Sequence, residues 1–132
     1  PFLSLIYKKE KKIESRFSIN KISPFEKVRK GDVVLLKESG SFVTGVFVAG
    51  EVKFYHNVNV KILSEIENKY GTDICSHYDS HFWENRAKAN YISLIEVKKV
   101  KRLVPFKSEK SDRTGWSILR EGIAENLFLQ KI

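Results

Sequence analysis

Between Asp32 and Tyr55 the chain reads DVVLLKESGSFVTGVFVAGEVKFY, three β-branched and aromatic runs separated by Glu38-Ser39-Gly40-Ser41 and by Ala49-Gly50. Side chains of this kind suit a pleated, half-buried surface, so the stretch commits the chain to a sheet. Val33–Lys37 forms a strand entered through Gly31-Asp32. The Gly40 loop turns it back as a hairpin, glycine being free to take positive φ. Phe42–Val48 and Glu51–Tyr55 follow as strands, with Ala49-Gly50 between them a bulge or bend of the kind used at barrel corners.

On either side of this core the period of the apolar residues changes. Phe2, Leu5 and Ile6 fall at helical spacing, so Pro1–Tyr7 is a short helix with proline in its first turn. From Lys12 to Phe17 the pattern alternates, with Ile13, Ser15 and Phe17 on one face and Lys12, Glu14 and Arg16 on the other, as in a strand. Ser18–Glu26 is a loop. Val60, Ile62, Leu63, Ile66 and Tyr70 make a helical stripe over Asn57 to Tyr70, for which Gly71 offers a C-cap. Asp79 to Ala89 has an Asp cap and reads as a second helix carrying Phe82, Trp83 and Arg86. Tyr91-Ile-Ser-Leu-Ile95 opens a strand that continues to Val104 and ends at Pro105. Lys107–Arg113 is a loop, Trp116, Ile118 and Leu119 return to the core, and Ile123, Leu127 and Leu129 fit an amphipathic helix or an edge strand. The expectation is one α+β domain spanning 1–132, a small barrel of about five or six strands with flanking helices set to one side, and a C-terminal extension over 120–132.

Composition narrows the class. The 42% hydrophobic and 12% aromatic content is that of a folded globular chain rather than a disordered one. No apolar run approaches the ~18 residues of a membrane span, and the start does not read as a signal peptide. The chain opens at Pro1 rather than Met, so a preceding segment is expected. The single cysteine, Cys75, lies near His77 and His81. That trio lacks a fourth ligand and a second cysteine pair, so a free intracellular thiol in a cytoplasmic protein is the expectation, with no metal and no cofactor. The net charge of +8 is unevenly spread. Residues 1–30 carry nine Lys/Arg against three Glu, and residues 98–113 seven against two acids, while residues 31–97 carry six against nine. Two basic segments flanking an acidic middle suit a phosphate backbone if they meet in space.

The densest basic segment contains Lys9-Glu10-Lys11-Lys12-Ile13-Glu14-Ser15-Arg16. This octapeptide resembles the signature G-x-K-x-x-E-x-R of the ASCH family, a branch of the PUA-like superfamily of small barrels that bind or act on nucleic acids. Lys11, Glu14 and Arg16 occupy its charged positions. Gly31-Asp32 before VVLL is similar to the family's entry into its next strand, and FWENRAKANYISLIEVKKVKRL to the superfamily's late helix and strand. The resemblance covers about residues 1–119. One position departs: the motif glycine, which would leave the helix through a left-handed conformation, is Lys9. Either Lys9 accepts that conformation, at about 1 kcal/mol, or the helix runs on and displaces Lys11.

The resemblance implies a pocket for RNA or a modified nucleoside. Lys11 is placed to lean over the barrel mouth, Glu14 to accept from an exocyclic amine, and Arg16 to present its donor fork to a phosphate. Tyr7, Trp83 and Trp116 are the aromatics that could stack a base, although the last two also sit in core-like patterns. The alternative is a small hydrolase of an acylated nucleobase or an RNA phosphodiester, with Lys11 as base and Glu14 beside it. Some ASCH-like proteins deacetylate acetylated cytidine and others are ribonucleases. The hydrolytic pattern also calls for a hydroxyl residue three positions after the lysine, where this chain has Glu14, and for a distal acid that could be Glu65, Glu67, Asp79 or Glu84. A third reading is a non-catalytic module that binds a protein through the same surface.

Overall fold

In a computed structural model, described over residues 2–22, 24–38, 42–107 and 118–119, helix α1 (Phe2–Tyr7) leads into strand β1 (Ile13–Ser18). Then come β2 (Val33–Lys37), β3 (Phe42–His56), helix α2 (Val60–Ile74), β4 (Tyr91–Lys107) and the two-residue β5 (Ile118–Leu119). The strands form one sheet in the order β1-β4-β3-β2-β5, with every pairing antiparallel. The expected barrel of five or six strands is therefore corrected. Four full strands carry the sheet, β5 adds two residues at one side, and the described strands do not close. Trp116 and the extension over 120–132 lie outside the described residues, as does the tip of the Gly40 loop.

Alternation along β4 sorts the core into two faces. Ile95, paired with Glu14 of β1 and Val52 of β3, joins Val34, Leu36, Phe47 and Ile6 of α1. Its neighbours Ile92 and Leu94 point the other way, to Ile66 and Ile74 of α2 and to Phe82. The two helices thus cover opposite faces rather than one side. A strand with period-two side chains leaves no other choice once both faces are apolar.

Three element boundaries differ from the sequence reading. Phe42–Val48 and Glu51–Tyr55 are one strand, with the Ala49-Gly50 irregularity surviving as a register shift between Ala49 and Val52. Pro105 lies inside β4, where the pairing with β3 shifts between Val43 and Gly45 and no ladder bond is asked of it. Helix α2 runs through Gly71 and ends on Cys75, whose φ of 66° is left-handed and whose N–H reaches the Gly71 and Thr72 carbonyls. The predicted helix over Asp79–Ala89 is instead a chain of turns around the 3₁₀ segment Glu84–Arg86. Asp79 Oδ1 accepts from the His81 N–H, an Asx turn that competes with helix at that point. Among the described residues, no helix is long and apolar enough to cross a membrane.

Candidate functional site

Helix α1 ends in a Schellman motif. The Glu10 N–H donates to the Leu5 carbonyl and the Lys9 N–H to the Ile6 carbonyl, both at 3.0 Å. Lys9 occupies the left-handed position with φ of 63°, so the lysine takes the conformation that a glycine would take freely. The helix does not run on. Lys9→Gly will raise stability by about 1 kcal/mol and the melting temperature by roughly 3–5 °C. A melting curve unchanged by this exchange at an exposed position would show that the strain is absent.

The turn sends Lys11 inward. It is 3% exposed, buried rather than leaning over a mouth. Its Nζ donates to the Ile74 carbonyl at the end of α2 (2.7 Å), stands 3.9 Å from Glu14 Oε1, and lies over the Phe2 ring at 4.9 Å. Burial pushes its pKa below the usual lysine value, with Glu14 and Cys75 opposing and Arg86 and Arg16 assisting. Glu10 accepts from the Tyr78 hydroxyl at 2.6 Å.

Glu14 and Arg16 follow two residues apart on β1, opposite Ile95 and Ser93 of β4, and so share the α1 side of the sheet. Burial lowers the Arg16 pKa, with Glu14 opposing; a guanidinium keeps its charge through such a shift. Glu14 Oε1 also accepts from the Ser15 N–H at 3.0 Å, which fixes the carboxylate.

These three side chains line a cavity of about 660 Å³, in the size range of small-molecule sites. Residues from both faces of β1 (Glu14 and Arg16, Ser15 and Phe17) line it, as do Val34, Leu35, Leu36 and Lys37 of β2. Two strands separated in the sheet by β4 and β3 can share a cavity only if the sheet curls. The cavity is therefore the seam between β1 and β2, at the Leu35–Lys37 end that lies beyond the two residues, Val33 and Val34, paired with β5.

The seam's charged lining extends beyond the expected residues. Lys37 contributes from β2 and Arg86 from the turns after α2. The Arg86 guanidinium sits 3.7 Å from the Phe82 ring centroid and donates to the Phe82 carbonyl at 2.9 Å. Burial lowers its pKa while Asp79 and Glu14 raise it. Among the described residues, four cations (Lys11, Arg16, Lys37, Arg86) face two carboxylates (Glu14, Asp79). Of the four acids considered from sequence, Asp79 alone is among the described lining residues. Glu65 and Glu67 are exposed on α2, and Glu84 is bonded to His81.

The expected stacking aromatics are not brought together. Trp83 packs edge-on against Phe17 and Phe82 in the α2-side core, outside the described lining. Tyr7 bonds Thr44 at 2.6 Å and carries Arg102 over its ring at 4.2 Å. Among the described residues, Phe2, Phe17, Phe47 and Phe82 are the rings that wall the seam. The Arg102 contact, with the Val97 N–H donating to the Lys12 carbonyl at 2.9 Å, sets the two basic segments side by side. Among the described residues no cluster of three or more His, Cys, Asp or Glu could hold a metal ion.

Among solved structures, the fold is similar to the crystal structure of ASCH from Zymomonas mobilis, with a TM-score of 0.64 and 10% identity over 96% of this chain and 87% of that one. Two mutants of the Zymomonas protein align equally well, at TM-scores of 0.65 and 0.63. The likeness is one of fold, and it is the fold that the Lys11–Glu14–Arg16 frame implied. No protein-family model matches the sequence, and no curated protein matches it.

Proposed function

We propose that the protein binds RNA, or a modified nucleoside, in the seam between β1 and β2. The observation that carries this reading is the excess of four buried or half-buried cations over two carboxylates in a cavity walled by phenylalanine rings. Such a lining favours a ligand with a flat apolar part and a negative part, which describes a base joined to its phosphate. The adjoining basic strand of β4 extends the positive field along the path of a longer chain.

Arg16→Ala tests it. Loss of a charge-assisted contact will weaken association with a mixed-sequence RNA by about ten- to a hundredfold, the equivalent of roughly 1.5–3 kcal/mol. It will also reduce the slope of log affinity against log salt by about one. Wild-type binding that is indifferent to salt would remove the electrostatic basis of the proposal.

The hydrolase reading is favoured by one specific observation, a lysine whose pKa is lowered by burial in the same cavity as an aspartate. A base needs its free amine near neutral pH, and burial moves Lys11 in that direction. Lys11 would take the proton of an attacking water and Asp79 would orient it.

A further inference from the structure

Lys37 ends the apolar run Val33-Val-Leu-Leu36 of β2. Its Nζ is buried and has no hydrogen-bond partner among the described residues. Leu35 and Leu36 beside it offer only hydrocarbon, and neither of the carboxylates in the seam, Glu14 or Asp79, bonds to it. Between Leu36 and Lys37 the pairing steps from Gly45 to Val43, skipping Thr44. A bulge of this kind re-aims the side chain that follows it. An ammonium withdrawn from water without an acceptor opposes folding, and a bound anion would remove that penalty.

We infer that Lys37 is the phosphate-binding residue of the seam and that the ligand there is a nucleotide rather than an uncharged nucleoside or base. The inference rests on the reading of the seam as a nucleoside-binding site and narrows it. Lysine presents a compact charge with three donors, which suits the oxygens of a phosphate. Lys37 stands on the β2 lip of the seam and Arg16 on the β1 lip. Phe17 and Phe82 supply apolar wall for the base.

The test compares the four ribonucleoside 5′-monophosphates, the matching nucleosides and inorganic phosphate by calorimetry and thermal melting. The proteins are the wild type, Lys37→Met and Lys37→Arg. In the wild type at least one monophosphate will bind tenfold or more tighter than its nucleoside. Lys37→Met will erase most of that difference and leave nucleoside affinity within about twofold, while Lys37→Arg will retain it. The Met variant will melt no lower than the wild type, because an apolar chain replaces a buried charge. If the preference for monophosphate survives in Lys37→Met, the assignment of Lys37 falls and the nucleoside site stands. If nucleosides bind the wild type as tightly as monophosphates, or inorganic phosphate alone reproduces the full gain, the nucleotide assignment falls. Failure of every probe and of RNA to bind the wild type overturns the inference together with the reading beneath it.

Discussion

Phe47→Ala will cost the fold about 3–5 kcal/mol, the range for emptying a fully buried aromatic position. Phe47 is 0% exposed and meets Ile6, Val34, Leu36 and Ile95 in the cluster between the sheet and α1. It also backs the seam. Since a domain of this size has only about 5–15 kcal/mol of stability in total, the variant will unfold at markedly lower urea with an unchanged m-value. Phe47→Leu, which keeps most of the apolar volume, will lose less and retain the seam's floor. The pair separates packing from ligand contact. If RNA affinity drops in the folded Leu variant as far as in Arg16→Ala, the ring itself meets the ligand. A loss below about 1 kcal/mol for the alanine would contradict the packing described here.

Much of this architecture was legible because period two and period 3.6 are written directly in the side chains. Ile13–Ser18, Val33–Lys37 and the helical stripe from Val60 lie where alternation and stripe placed them. Where the reading failed, a signal in the residue types was outvoted by the contacts made, a few residues away in one case and distant in sequence in the other. Gly71 has the composition of a helix end. Its carbonyl, however, accepts from the Cys75 N–H and, at 3.0 Å, from the Ser76 hydroxyl, so the helix continues past it. Phe82, Trp83 and Arg86 have helical spacing. Their places are instead set by edge-on packing with Phe17 and by Arg86 over Phe82.

The site divides in the same way. Lys11, Glu14 and Arg16 come from one octapeptide, so a short motif sufficed to bring them together. Lys37 joins them only through the curl of the sheet, which sets β2 across from β1 without a pairing that a pattern could reveal, and Arg86 through the packing of the turns after α2 on Phe82 and Phe17. Their signals were faint: a lysine closing a run of four buried aliphatics, and an arginine among aromatics. Expecting a closed barrel concealed them further, since closure would have filled the seam that they line.

Lys11→Met will separate the two roles that the structure gives this lysine. Its Nζ satisfies the Ile74 carbonyl at the C-terminal end of α2, so a thioether leaves that acceptor unpaired, at a cost of about 1–3 kcal/mol. The pH dependence carries the second role. In the folded protein the Lys11 pKa lies below its ordinary value of 10.5 because burial penalises the ammonium, whereas in the unfolded chain it returns to that value. Between the two, the unfolded state binds more protons than the folded one, so the lysine's contribution makes stability rise with pH through that window. Below the lowered pKa both states are protonated and the full burial penalty is present; near 10.5 it is gone. The stability difference between wild type and Lys11→Met will therefore widen as pH climbs from neutral toward 10.5. A difference independent of pH would mean that the buried ammonium is not penalised, and the case for Lys11 as a base would go with it. If the gap widens, the folded Met variant becomes the decisive control for hydrolysis of an acylated nucleobase or RNA. A base held by burial predicts loss of turnover with the fold retained, while a lysine that only braces α2 against β1 predicts turnover that tracks the fraction folded.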